Sequence, residues 1–182
     1  MSPGAGAIAL RSPIRLARRA CVFLDRDGVL NERILDGYVT TWDAFRWKPD
    51  ALEALATLAR AGWPTIVVSN QSCVGRGILA PEALVEIMHE MTVRLEENGS
   101  PLSAWYCCPH APDAGCDCRK PRPGMLLRAA AELGLDPSAC HMIGNTPSDV
   151  DAGSAAGCTT HRIDAGDPRA FVRVAEAIAA RA

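Results

Sequence analysis

The chain has 182 residues, 48% of them hydrophobic, and its 19 basic and 21 acidic residues leave a net charge of −2. That length suits one globular domain with a sizeable core, and the interspersed charges supply neither a basic footprint for nucleic acid nor an acidic tail. No apolar run approaches the roughly 20 residues that span a bilayer, so the sequence reads as soluble and cytoplasmic, with no membrane partner.

The first residues carry Arg11, Arg15, Arg18 and Arg19 around Leu10, Ile14 and Leu16. They lack the long apolar segment of a signal peptide. Residues 1–19 are therefore expected to form a flexible, partly ordered lead-in to one domain over residues 20–182. Strand-like runs follow at 21–24, 65–69, 104–107, 140–143 and 159–163. Helical patterns lie between most of them. Lys48-Pro49-Asp50 opens a helix through Leu52, Leu55 and Leu58 that stops at Gly62. Pro81 opens a longer one, with Leu84, Ile87, Met88, Met91 and Leu95 at helical spacing. A third follows Pro123 through Met125, Leu126, Leu127 and Ala130 to Gly134. The last two run over about 148–156 and 168–180.

This alternation predicts right-handed crossovers and a parallel sheet with helices on both faces. Residues just after the strands then gather at one rim, where α/β proteins bind ligands, and Asp25, Ser69 and Asn145 meet there. The first strand exits into Asp25-Arg26-Asp27-Gly28-Val29. Residues i and i+2 of an extended chain share a side, so Asp25 and Asp27 converge while Arg26 points away. Two like charges that close call for a cation, and this is a common setting for phosphate chemistry.

Four of the eight cysteines are clustered. Cys108-Pro109-His110 and Cys116-Asp117-Cys118 supply three sulfurs and one nitrogen, the tetrahedral ligand set of a structural zinc site. The disulfide alternative needs an oxidising compartment. Cys107, next to the cluster, is expected to point into the core. Cys21, Cys73, Cys140 and Cys158 read as buried small apolar residues. His89, His141 and His161 lack partners at ligand spacing and are expected on helix surfaces or in the core.

The ordered set Asp25-Arg26-Asp27-Gly28-Val29, Ser69-Asn70-Gln71, Arg119-Lys120-Pro121 and Gly144-Asn145-Thr146-Pro147-Ser148-Asp149 resembles the haloacid dehalogenase superfamily of phosphatases over about residues 20 to 165. The resemblance implies a Rossmann-like three-layer α/β fold and a phosphoaspartyl mechanism. Asp25 would be the nucleophile and Asp27 the general acid and base. Ser69 and Lys120 would hold the transferring oxygens. Mg2+ would bridge the Asp25 carboxylate, the Asp27 carbonyl and the phosphate.

Together with Gly75-Arg76-Gly77 and the run from Cys116 to Met125, the zinc loop narrows the resemblance. It points to a branch of small enzymes without a large cap domain that act on a heptose bisphosphate or on histidinol phosphate. Residues 28–49 leave room for a flap only. The zinc loop would wall an open cleft, with Asn70, Gln71, Arg76 and Arg119 as substrate contacts. For Arg76 a plain surface charge is the alternative reading.

One position departs from that pattern. The later strand ends in Gly144-Asn145, where the family has Gly-Asp with the aspartate on magnesium. An asparagine carbonyl still ligates a hard cation, with less charge. Either the enzyme tolerates the change or uses Asp149 to compensate, or activity is lowered, or the chain binds a sugar phosphate without turnover. The leading expectation is an Mg2+-dependent phosphatase that removes the 7-phosphate of a heptose bisphosphate. It would act as a monomer on a small-molecule sugar phosphate, with a structural Zn2+. Histidinol-phosphate phosphatase is the alternative.

Overall fold

The computed structural model describes residues 6–11, 18–164 and 166–181. Six strands, β1 (Ile8–Arg11), β2 (Val22–Leu24), β3 (Thr65–Asn70), β4 (Ala104–Cys108), β5 (His141–Gly144) and β6 (Thr159–Arg162), form one sheet in the order β1-β4-β3-β2-β5-β6. Strands β2 to β6 are parallel, and β1 joins the edge antiparallel to β4.

Alternation along the strands divides the core in two. Val22, Leu24, Val67, Trp105 and Ile143 face α1 (Ala51–Arg60), α3 (Pro81–Glu97) and α6 (Ala170–Ala179). Phe23, Ile66, Val68, Tyr106 and Met142 face α4 (Gly124–Leu133) and α5 (Pro147–Ala156). These are the helices that the apolar spacing predicts. A single-turn helix, α2 (Ser72–Gly75), follows β3 and has no apolar repeat to announce it.

The chain first builds outward from β2 through β3 to β4, then returns to place β5 on the other side of β2. Connections therefore leave β2 in opposite directions, which opens a crevice at its carboxyl end. Asp25 stands at that point, its N–H bonded to Ile143 O at 3.0 Å.

Part of the expected lead-in joins the sheet. Ile8–Arg11 pairs with β4 through Ile8↔Cys107 to Arg11↔Ala104, and Ala7 is buried beside it. This pairing satisfies backbone groups that the outer edge of β4 would otherwise leave open. Arg18 lies over the Trp63 ring at 4.7 Å. Residues 1–5 and 12–17, also within the expected lead-in, lie outside the described residues.

Between Gly28 and Pro49 there is one 3-10 turn, Trp42–Ala44, and no folded cap. Trp42 stacks on Phe45 at 4.8 Å and Trp47 packs edge-on to Phe45 at 4.9 Å, which seats this flap on the core. Among the described residues no helix is long and apolar enough to cross a membrane.

Candidate active site

The chain turns as soon as it leaves β2. Arg26 O accepts from the N–H groups of Leu30 and Asn31 at 2.8 and 3.1 Å, and Gly28 takes φ +93°. A Cβ at Gly28 would stand 2.3 Å from Asn145 Nδ2. Glycine is thus required twice over, by the backbone and by the closeness of the β5 exit.

This turn lets Asp25 and Asp27 both line one cleft of about 640 Å³, together with Ser69, Asn70, Arg76, Arg119, Lys120 and Asp149. It also overturns the expectation for Arg26. Strand alternation no longer applies beyond Leu24, and the buried guanidinium turns onto its neighbour, with Nη2 at 2.9 and 3.0 Å from the two Asp27 oxygens.

Lys120 is the hub of the second charge cluster. Its side chain is 2% exposed, and Nζ hydrogen-bonds to Val68 O at 2.8 Å while pairing with Asp25 at 2.9 Å and Asp149 at 2.6 Å. Three partners match the three N–H bonds of an ammonium. Gly144 allows this approach, because a Cβ there would meet the Asp149 side chain at 2.1 Å. The other Asp149 oxygen accepts from Thr146 N and Oγ1 at 2.9 and 2.7 Å, closing the capping box of α5.

Burial pushes the Asp25 carboxyl up to about 6, Lys120 opposing and the charges of Asp149 and Asp27 adding to the rise. Burial acts on Asp27 in the same sense, but the Arg26 charge and hydrogen bonds from Arg26, Asn31 and Gln71 outweigh it and hold Asp27 below its ordinary value. Burial alone would lower Lys120; its two carboxylate partners raise it instead. Two cations thus face three carboxylates. One negative charge is left over beside Asp25.

Several expected substrate contacts take other places. Gln71 is 1% exposed and lies behind the cleft. Its Nε2 donates to Asp27 Oδ2 at 2.7 Å and Ser69 Oγ at 2.9 Å, and its Oε1 accepts from Arg26 at 3.1 Å. The sequence reading of Gln71 as a substrate contact is therefore corrected: following β3 by one residue, it is drawn inward by buried polar partners. Asn70 reaches the cleft, yet its amide holds Lys120 by both backbone groups, each at 3.0 Å. Arg76 and Arg119 line the cleft.

Asn145 lies at the exit of β5 against Gly28, and its Oδ1 is buried with no hydrogen-bond partner. Asp149, the candidate compensator, is held by Lys120 and the helix cap. The sequence offered no signal for Arg33, Asp36 and Tyr38, which enter the cleft from the flap.

Cys108, His110, Cys116 and Cys118 bring their ligand atoms within 4.8 Å of one another. The Cys108–Cys116 and Cys108–Cys118 sulfurs are 3.7 and 3.4 Å apart, and His110 Nδ1 is 3.2 Å from Cys118 Sγ. A tetrahedron with metal–sulfur bonds of about 2.3 Å has edges of about 3.8 Å, so the cluster has the dimensions of a metal site. Cys107 points into the core, where burial pushes its thiol up to about 12. The four scattered cysteines are buried free thiols. His141 is buried and meets His161 across β5 and β6, Nδ1 to Nε2 at 3.0 Å.

A cleft at a sheet switch point, with an acidic pair just past the end of β2 and a buried lysine beside it, marks a class of hydrolase. Residues 9–157 match the haloacid dehalogenase-like hydrolase family, and the chain belongs to it. The D-glycero-beta-D-manno-heptose-1,7-bisphosphate 7-phosphatase of Photorhabdus laumondii is 42% identical over 142 residues, 74% of each chain. That of Pseudomonas aeruginosa is 40% identical over 141 residues, 77% of this chain and 78% of its own. The crystal structure of the D,D-heptose 1,7-bisphosphate phosphatase from B. bronchiseptica, complexed with magnesium and phosphate, superposes with a TM-score of 0.81 at 31% identity. It covers 90% of this chain and 99% of that one.

Proposed function

We propose that this protein is a magnesium-dependent phosphatase that removes the 7-phosphate of D-glycero-beta-D-manno-heptose 1,7-bisphosphate by way of an aspartyl-phosphate. The observation that carries the reading is Asp25 at the switch point, with the Lys120 ammonium 2.9 Å away and Ser69 in the same cleft.

An Asp25 oxygen attacks phosphorus while the bond from phosphorus to the sugar oxygen breaks, and Asp27, which takes up a proton in the substrate complex against the pull of Arg26, gives that proton to the leaving oxygen. Water then attacks phosphorus, Asp27 takes the proton back, and the bond from Asp25 to phosphorus breaks to release phosphate. Because Ser69 Oγ accepts from Gln71, its own hydrogen is left for a phosphoryl oxygen. Lys120 supplies positive charge to the others. Arg76 and Arg119, with planar donor forks, suit the remaining phosphate or the sugar hydroxyls.

The donors fit a hard divalent cation. Asp25 is raised by burial and like charges, the cluster carries one excess negative charge, and the buried Asn145 Oδ1 lacks a partner. Asp25, the Asp27 carbonyl and Asn145 would hold Mg2+, which when bound neutralises charge on Asp25 and the phosphoryl oxygens. Cys108, His110, Cys116 and Cys118 would hold a structural Zn2+, bracing a loop with no helix or strand of its own between β4 and α4.

We read the protein as a monomer. Eight free thiols suit the reducing cytoplasm. Phosphate release with magnesium, screened over the heptose bisphosphate, histidinol phosphate and generic sugar phosphates, tests the reading. Release from the heptose bisphosphate is expected. Activity on histidinol phosphate alone overturns it, and binding without release from any substrate replaces it with a binding role.

A further inference from the structure

Asp27 is held from behind by three buried side chains. Arg26 reaches it with Nη2 at 2.9 and 3.0 Å and with Nε at 3.3 Å. Gln71 Nε2 donates at 2.7 Å and Asn31 Nδ2 at 3.0 Å. Arg26 and Gln71 are 1% exposed and Asn31 is fully buried. The Asp27 side chain, at 28% exposure, remains open only toward the cleft.

A buried guanidinium costs several kcal/mol of lost hydration, which its pairing with Asp27 has to offset. Arg26 also hydrogen-bonds to Gln71 Oε1 at 3.1 Å and touches Met88 Sδ of α3 at 3.7 Å. It is therefore locked at both ends of its fork, and Gln71 carries the lock across to Ser69 Oγ. Such rigid support is what places a proton-transfer group to within a fraction of an ångström.

We propose that Arg26, acting with Gln71, is a positioning residue that fixes the orientation of the Asp27 carboxyl toward the cleft. The inference rests on the reading of Asp27 as general acid and base. Arg26 touches no reacting atom in this arrangement; it works through Asp27.

The test is a four-member cycle of wild type, Arg26→Lys, Asp27→Asn and the double variant, with kcat and KM measured on the heptose bisphosphate. Lysine keeps the charge and loses the fork. Arg26→Lys is expected to lower kcat about 10- to 100-fold, with KM changed less than about threefold. In the Asp27→Asn background the same change is expected to lower kcat less than about threefold, since the group it positions is gone. An equal loss in both backgrounds overturns the inference, because Arg26 then acts on the site independently of Asp27. A wild-type kcat for Asp27→Asn alone sinks the underlying reading instead. Should Arg26→Lys fail to fold, Gln71→Leu replaces it in the cycle, with the same expected and overturning results.

Discussion

Lys120 Nζ stands 2.6 Å from Asp149 Oδ1, closer than the 2.9 Å that separates it from Asp25 Oδ1. Both side chains are almost fully buried, so this pair fixes the ammonium before any substrate arrives. Removing the Asp149 charge leaves the buried ammonium with one carboxylate partner, Asp25, in place of two. Asp149→Asn is expected to destabilise the protein by about 3 kcal/mol and to lower kcat by about tenfold or more. Urea unfolding and steady-state kinetics check both. A variant of unchanged stability would show that the buried pair contributes nothing.

Asn145 brings a neutral carbonyl where an anion would attract the cation more strongly. Asn145→Asp is expected to lower the magnesium concentration for half-maximal activity by about tenfold. Calorimetric titration with magnesium, in the absence of substrate, should show the same gain. An unchanged magnesium requirement would remove position 145 from the metal's surroundings.

The sulfur and nitrogen edges of the Cys108 cluster predict one zinc per chain by elemental analysis. Cys118→Ser is expected to lose that metal and lower the melting temperature. It should raise KM more than it lowers kcat, because the loop walls the cleft while Asp25 sits on the sheet. A zinc-free wild type of equal thermal stability would contradict the structural role.

The histidine pair predicts a pH effect. Burial, the charge of His161 and Arg181 lower His141 below 6.5, and burial with Arg181 lowers His161. Both therefore bind protons more readily when unfolded. Stability is expected to fall as pH drops through about 6.5 and to level off below the folded-state values. Asp25, raised to about 6, contributes in the opposite sense over the range below that. The informative quantity is thus the difference between wild type and His161→Gln in denaturant unfolding at pH 7.5 and 5.5. The variant should lose less stability on acidification; parallel losses would refute the coupling.

What was legible in the sequence follows from which interactions are local. The apolar repeats of α1, α3 and α4 and the buried runs of β2 to β5 are short-range patterns, and they appear where the spacing puts them. Ile8–Arg11 had no such pattern, since its strand exists only because the edge of β4 is there to pair with. In the site, strand exits placed the acidic pair and Ser69, while Lys120 was named only through the resemblance carried by Arg119-Lys120-Pro121. Arg26 and Gln71 were misplaced because their positions depend on a turn that ends the alternation at Leu24, and on partners 44 and 45 residues apart. The meeting of His141 and His161 likewise needed the strand neighbours, which no spacing along the chain reveals.

The double grip of Asn70 on the backbone of Lys120 has a bearing on how such a cleft can change. Lys120 directly follows the zinc loop, so an altered loop would be expected to drag the lysine with it. Held through β3 instead, the lysine keeps its address while the wall beside it is rebuilt. Substrate choice and bond breaking can then vary separately, one in a loop braced by metal and the other in a sheet that does not notice.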